Sequence, residues 1–197
     1  MPKVSPEHRA RQRDRILDAA ARCFARKGFR ATSMADIVAE ADSSPGAIYR
    51  YFSGKAEIVA AIADQRHAHE ALLAEGISAG GGIEAALHQL IDGYVEWLKD
   101  PAERTRRLLT VQIWAEALHD PDLAATLSLG APQRRLIAAA LRSADGMPDG
   151  LDPDAVARVM MAIVQGLVLQ LALEPDIDVD AYAAVVHSLI DAQLATG

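Results

Sequence analysis

The stretch TSMADIVAEADSSPGAIYRYF, residues 32–52, holds two short amphipathic segments separated by three polar residues. Ser33 precedes Asp36 by three positions, which is the spacing of a capping box, and Ser44 precedes Pro45, a pair typical of a helix start. Apolar residues recur at helical spacing in both segments: Ile37, Val38, Ala41, Ile48 and Phe52. Two short helices joined by a tight turn form a helix-turn-helix, which we predict here.

Helical spacing extends well beyond this stretch. Ala, Leu, Arg and Glu recur at helical intervals almost from end to end, and strand-like alternation is hard to find. Five of the nine prolines follow a residue whose side chain can cap a helix: Ser5-Pro6, Ser44-Pro45, Asp100-Pro101, Asp120-Pro121 and Asp152-Pro153. We therefore predict an all-α chain of about nine helices, near residues 6–27, 34–41, 45–52, 55–75, 83–98, 102–118, 121–144 with a break near Gly130, 153–173 and 179–195.

Charge divides the 197-residue chain into two parts. Residues 1–55 contain 11 Lys and Arg against 6 Asp and Glu, a balance of +5, whereas residues 56–197 contain 9 against 21, a balance of −12. Clustered basic residues attract phosphate, and an acidic remainder limits indiscriminate binding. We predict a basic three-helix, helix-turn-helix DNA-binding domain at residues 1–54 and an acidic helical domain at residues 55–197.

The outward side of the second short helix predicts a DNA-binding surface. Its first residues, PGA at positions 45–47, are small enough for the first turn to enter a major groove. Arg50 suits a bidentate contact to guanine, while the hydroxyls of Tyr49 and Tyr51 and the ammonium of Lys55 suit phosphate oxygens. Each feature taken singly also has a structural interpretation, as a helix cap, a half-buried ring or a solvated charge.

These residues resemble the tetracycline-repressor (TetR) family over roughly residues 13–62. The resemblance rests on TSMADIVAEA at residues 32–41, SPGAIYRYF at residues 44–52 and Lys55. Asp42 and Ser43 stand where the family usually has glycine and valine, and Ala56 stands where it usually has an acidic residue. The resemblance implies a transcription regulator that binds a palindromic operator in double-stranded DNA. The positions it assigns to DNA contact are Thr32, Ser33, Ser44, Pro45, Gly46, Ala47, Tyr49, Arg50, Tyr51 and Lys55.

The helix predicted near residues 153–173 has hardly any polar stripe, so it needs partners on more than one side. A second chain is one such partner, because two helices from each chain packed around a two-fold axis resemble the TetR-family dimer. The residues predicted to pair the two chains of a homodimer are Val156, Val159, Ile163, Leu167, Val185 and Leu189. Burial inside a single chain is the alternative.

The resemblance also implies a pocket for a small-molecule effector of unknown identity. It would lie among the helices near residues 83–98, 102–118, 131–144 and 153–173. Candidate wall residues are Gln112, Trp114, Glu116, Met160 and Gln165, although such residues at helical spacing are also typical of plain core packing. The implied protein is a repressor that the effector releases from DNA, and a ligand-independent architectural DNA-binding protein is the alternative.

The sequence does not favour an enzyme, which is the competing class. The chain has six histidines: His8, His67, His69, His88, His119 and His187. They show none of the usual metal-binding or catalytic spacings, so we expect no cofactor and no metal. The single cysteine, Cys23, lies on an apolar stripe and cannot form an intrachain disulfide. The apolar run at residues 159–173 is shorter than the roughly 20 residues of a membrane span. We expect a cytoplasmic protein with no membrane partner.

Overall fold

The structure of the chain, a computed structural model, describes residues 5–65, 82–127 and 131–195. These residues contain no strand, and the all-α prediction is confirmed. Their ten α-helices are α1 Pro6–Lys27, α2 Met34–Glu40, α3 Pro45–Tyr49, α4 at residues 55–65, α5 Gly82–Lys99, α6 Arg104–Ala117, α7 Pro121–Leu127, α8 Ala131–Ser143, α9 Pro153–Leu173 and α10 Val179–Leu194. A 3-10 helix, Pro101–Glu103, lies between α5 and α6.

The observed helices follow the predicted ones closely, and α3 shows the largest difference at a described boundary. The break predicted near Gly130 within residues 121–144 agrees with the two helices found there, since α7 ends at Leu127 and α8 begins at Ala131; Gly130 itself lies outside the described residues. Helix α3 ends at Tyr49, which is three residues earlier than predicted. The helix predicted at residues 55–75 is described as far as residue 65, so its remainder lies outside the described residues, as do His67 and His69.

Local capping explains where several helices begin. At the start of four helices, a side-chain oxygen of the residue before the helix accepts a hydrogen bond from a backbone N–H of the first turn. The cap residues are Ser5 for α1, Ser44 for α3, Asp120 for α7 and Asp152 for α9. The fifth predicted pair, Asp100-Pro101, precedes the 3-10 helix rather than an α-helix. Proline suits the first helical position because its missing N–H would have no partner there.

The chain forms two compact units, and the first, the head unit, comprises Met1–Gln65 and Thr105–Leu127. Its buried core unites α1 to α4 with α6 and α7 and includes Ile16, Leu17, Phe24, Ile37, Ile48, Phe52, Ile58, Leu109, Ile113 and Leu123. The boundary predicted after residue 54 followed the change in charge. Packing adds α4, α6 and α7 to the basic helices, because their apolar faces complete the same core.

The second unit, the body unit, comprises Arg66–Arg104 and Ser128–Gly197. Within its described residues, α5 packs against α10 and α8 packs against α9. The rings of His88 on α5 and His187 on α10 stack with centroids 4.4 Å apart. Each imidazole also lies beside a carboxylate of the opposite helix, His88 at 2.8 Å from Asp191 and His187 at 3.1 Å from Asp92. These paired contacts lie where α5 packs against α10.

Helix α9 has 21 residues and is predominantly apolar, with Asp154 and Arg158 as its charged residues. Length and composition alone would let it cross a membrane, since its most apolar 18-residue window has a mean hydropathy of 1.9. Only 28% of that window is buried within the protein. Core helices of soluble proteins have the same length and composition, so these two properties do not decide what covers the rest of α9.

Candidate nucleic-acid interface

Helix α3 is fixed by its cap and by one buried side chain. The Oγ of Ser44 accepts a hydrogen bond from the backbone N of Ala47 at 3.3 Å, and Ile48 is fully buried in the core of the head unit. The residues on the other side of α3 are exposed: Ser44, Pro45, Gly46, Tyr49 at 54% and Arg50. A Cβ added to Gly46 would meet no atom within 4 Å, so packing within the protein does not require glycine there. This side of α3 is free to approach another molecule.

Thr32 does not belong to the exposed surface. Its side chain is 1% exposed. Its hydroxyl donates to the carbonyl O of Gly28 at 2.8 Å, and the carbonyl O of Cys23 is a second acceptor at 3.3 Å. These carbonyls belong to the last turn of α1 and to Gly28, the residue that follows it. The prediction that Thr32 offers its hydroxyl to DNA is therefore wrong, because that hydroxyl closes the end of α1.

Helix α2 begins with the predicted capping box. The backbone N of Asp36 donates to the Oγ of Ser33 at 3.1 Å, and the backbone N of Ser33 donates back to the Asp36 carboxylate at 2.8 Å. Lys27 also donates to this carboxylate, at 2.6 Å, and hydrogen bonds from Lys27 and Ser33 lower the pKa of Asp36 well below its ordinary value. Ser33 itself is exposed, so its prediction as a DNA contact remains open.

The turn between α2 and α3 requires a left-handed residue. Asp42 has a φ of 46° and is the one non-glycine residue with positive φ among those described. Aspartate visits this region more readily than most residues, and the TetR pattern has glycine here. The next residue, Ser43, donates its backbone N–H to the carbonyl O of Val38 at 3.2 Å, which closes the turn onto α2.

Lys55 at the start of α4 is held by the protein itself. Its Nζ donates to the carbonyl O atoms of Phe29 at 2.7 Å and Arg30 at 3.1 Å, and it lies 4.8 Å from the centre of the Phe29 ring. Burial lowers the pKa of Lys55, an effect that the nearby Glu116 carboxylate opposes. An ammonium group has three N–H donors, so at most one remains for the predicted phosphate contact.

The start of α4 is capped without an acidic residue at position 56. The carboxylate of Glu57 accepts hydrogen bonds from the backbone N of Ser53 at 2.6 Å and from its Oγ at 2.8 Å. These two bonds lower the pKa of Glu57. Glu57 therefore supplies a carboxylate at the start of α4, although residue 56 is Ala56.

Carboxylates of α2 are neutralised by cations of α1. Glu40 accepts from the Nε of Arg22 at 2.8 Å and from the Nη2 of Arg26 at 2.5 Å, and these hydrogen bonds lower its pKa. Together with the pair formed by Lys27 and Asp36, these contacts tie α1 to α2 at the surface. Negative charge on α2 is thus compensated before any ligand approaches.

Helix α6 is linked to α1 and to the segment that follows α1. Glu116 pairs with Arg30 at 2.5 Å, and Arg106 pairs with Asp18 at 2.8 Å. The amide of Gln112 donates to the carbonyl O of Ala25 at 3.5 Å. Sequence reasoning missed the two ion pairs because their partners are 86 and 88 residues apart, and local spacing carries no signal over such distances.

The five predicted pocket residues fall in different environments. Gln112 and Glu116 are engaged within the head unit as described above, and Trp114 of the same helix is half-buried. Met160 is buried in the body unit, whereas Gln165 is exposed. Their role in ligand binding remains a prediction.

The predicted dimer residues divide into exposed and buried ones. Val159, Val185 and Leu189 are exposed, and the last two keep 60% and 62% of their surface. Val156 and Ile163 are half-buried. Leu167 is 2% exposed and packs inside its own body unit, so the prediction that it pairs two chains is wrong. The apolar helix residues Leu169 and Leu173, which the prediction omitted, are exposed.

Two family models match the chain. Residues 16–62 match the model described as bacterial regulatory proteins, tetR family. Residues 83–195, more than half of the chain, match the model described as BetI-type transcriptional repressor, C-terminal. The first match contains the helix-turn-helix, and the second spans α5 to α10.

Similar proteins are bacterial regulators. The chain is 29% identical to the HTH-type transcriptional regulator TtgR of Pseudomonas putida over 194 residues, covering 89% of this chain and 87% of that protein. It is 34% identical to the HTH-type transcriptional regulator YfiR of Bacillus subtilis over 108 residues, about half of each chain. The solved complex of SmeT with triclosan shares the fold, with a TM-score of 0.77, 24% identity and coverage of 93% of this chain and 91% of that chain.

Proposed function

The chain belongs to the TetR family of bacterial regulatory proteins, and on that premise we propose that it is a homodimeric repressor released from a palindromic operator by a small-molecule effector. DNA-binding transcription regulation is the function of the family. The observation that carries the proposal is the exposed side of α3, which is rigidly capped at Ser44, anchored by Ile48 and free of packing partners at Gly46.

On the DNA, the first turn of α3 enters the major groove. Gly46 and Ala47 let the backbone approach the bases, and Arg50 offers its guanidinium to the O6 and N7 of a guanine. The hydroxyls of Ser33, Ser44, Tyr49 and Tyr51 suit phosphate oxygens, and Lys55 keeps one N–H for the same purpose. A dimer would place two such helices about 34–36 Å apart, one turn of the double helix.

The partner that completes the dimer covers the exposed apolar side of α9 and α10. Val159, Val185 and Leu189 lie on these two helices and are exposed in the single chain. A self-complementary apolar patch of this kind is what a two-fold interface buries. A homodimer also accounts for the apolar length of α9 without a membrane, since the partner chain supplies the missing burial.

The effector site is proposed for the body unit. SmeT, whose fold this chain shares, is solved with triclosan. The chain passes between the two units at residues 65–66, 104–105 and 127–128, and α6 contains the second of these crossings. A conformational change in the body unit would therefore be transmitted to the head unit along the continuous chain of α6. The ion pairs of Arg106 and Glu116 link α6 to α1 and to the segment after it, so a shift of α6 would move them.

The proposal is tested by selecting bound DNA from a random pool with the full chain and then measuring affinity for the enriched sequence. We expect a palindrome, a complex of one dimer per site, and release by an effector. By linkage, an effector that weakens operator binding must itself bind less tightly in the presence of operator. Equal effector affinity with and without operator would contradict the switch, and selection of no sequence would favour the architectural alternative.

A further inference from the structure

Gln133 is a polar residue in an apolar position. It is the third residue of α8, and with Ile137 and Leu141 it forms a stripe at intervals of four that points into the body unit. Its side chain is 3% exposed. Among the described residues of the body unit it is the one polar or charged side chain that is buried.

Neither end of this buried carboxamide has a partner. The Oε1 and the Nε2 of Gln133 both lack a hydrogen bond. A carboxamide offers two donors and an acceptor, and buried groups of this kind are nearly always paired. Leucine would fill the position with less cost to folding. A glutamine that is unfavourable for the fold, and complete only with a hydrogen-bonding partner, has the properties of a ligand anchor.

We propose that Gln133 is the polar anchor of the effector site, and that the effector is an uncharged, largely apolar molecule with one hydroxyl or amide group. This inference rests on the proposed function. The Nε of the neighbouring Arg134 lies 3.7 Å from Asp154 on α9, and the same carboxylate also pairs with Arg142. An anionic ligand beside Gln133 would compete with Asp154 for these arginines, and a cationic ligand would face two arginines that share one carboxylate, so burial of a neutral group costs less. A neutral donor or acceptor matches the free carboxamide.

The test uses phenol, toluene and benzoate as probes of the full chain. Phenol and toluene have nearly the same shape but differ in one hydroxyl, and benzoate adds a charge. Apparent dissociation constants come from the rise in melting temperature with probe concentration. We expect wild-type chain to prefer phenol over toluene and not to be stabilised by benzoate. In Gln133→Leu, phenol should bind about three- to tenfold more weakly, the equivalent of one neutral hydrogen bond, with toluene binding retained.

Gln89→Leu is the matched control, because Gln89 is an exposed glutamine of α5 in the same unit. It should keep the wild-type preference for phenol. Without any probe, Gln133→Leu should melt at or above the wild-type temperature, and Gln133→Met repeats the comparison if the leucine variant does not fold. The inference would be overturned if both Gln133 variants melted below the wild-type temperature, or if they kept the wild-type preference for phenol. It would also be overturned if benzoate stabilised the wild-type chain more than phenol does, or if no probe stabilised it. Operator binding, measured in parallel, reports separately on the proposed function.

Discussion

Replacing Lys55 by methionine separates a structural from a DNA-binding role for this residue. In the folded head unit the ammonium donates to the carbonyl O atoms of Phe29 and Arg30 and lies over the Phe29 ring. Methionine keeps the apolar stem of the side chain and removes only these interactions. The loss therefore falls on the segment that joins α1 to α2, which places the helix-turn-helix.

The expected loss of stability follows from the contacts. Two hydrogen bonds from a half-buried charged donor contribute about 1 kcal/mol each, and the ring contact adds about 0.5 kcal/mol. Relief of the partial burial of the ammonium, the same burial that lowers the Lys55 pKa, offsets part of this sum. We expect Lys55→Met to lower the free energy of unfolding by about 1–2 kcal/mol, which corresponds to a fall in melting temperature of about 2–8 °C.

Two measurements separate the roles. Urea unfolding gives the stability, and operator affinity at several salt concentrations gives the number of phosphate contacts. If the third N–H of Lys55 meets a phosphate, the slope of log K against log salt should fall by about 0.9 per head. Arg135→Met is the control, since Arg135 is an exposed cation of the body unit and should change neither quantity. Unchanged stability in Lys55→Met would refute the structural argument, whatever the slope.

Four further outcomes are expected. Arg50→Ala should weaken operator binding by about 1–3 kcal/mol and relax one base preference, measured on operators altered one base pair at a time. Ser44→Ala should reduce stability by about 1 kcal/mol and weaken operator binding, whereas Ser44→Asn should retain the cap, as urea unfolding will show. Asp36→Asn should make the free energy of unfolding depend less on pH in the acid range. Because folding lowers the pKa of Asp36, the stability that its carboxylate contributes is present at neutral pH and is lost as the pH falls below the ordinary pKa of 3.8. Urea unfolding from pH 7 to 2 measures this difference. Leu189→Glu should convert the dimer to monomers in sedimentation experiments and weaken operator binding, because a charge enters the apolar patch.

Each of these has a contrary result. Full operator affinity in Arg50→Ala would remove that residue from the contact surface, and equal stability of the Ser44 variants would show that the cap does not matter. An unchanged pH dependence in the acid range for Asp36→Asn would mean that Lys27 and Ser33 do not stabilise the carboxylate. A dimer that persists in Leu189→Glu would place the interface elsewhere, and Gln89→Glu is its surface control.

The features that could be predicted from the sequence are local ones. Ser44-Pro45 predicted the start of α3 because a cap and a proline act within a single turn. Ser33 and Asp36 form the predicted capping box for the same reason. The left-handed conformation at Asp42 lies where the TetR pattern has glycine, and aspartate tolerates this conformation better than most residues.

The features that could not be predicted depend on distant parts of the chain. Thr32 has the composition of a surface contact, yet its burial is decided by the carbonyls at the end of α1. Leu167 and Leu189 have the same residue type and lie in equally apolar helices, but one faces its own unit and the other faces solvent. Apolar periodicity identifies a buried face and does not say which molecule buries it.

Net charge predicted a basic head but could not say which of its cations are free to meet DNA. The structure divides them: Arg22, Arg26 and Lys27 are matched by carboxylates of α2, and Arg30 is matched by Glu116 of α6. Arg50, by contrast, has no carboxylate partner in the part of the chain that the structure describes. Carboxylates neutralise these other cations of the head unit, whereas the positive charge of Arg50 stays unpaired at the exposed end of α3. This is the end that would lie in a major groove. Removing Arg50 takes away a free charge, whereas removing Lys27 takes away the cation that is paired with Asp36, so both substitutions should weaken DNA binding but only the second should also destabilise the fold.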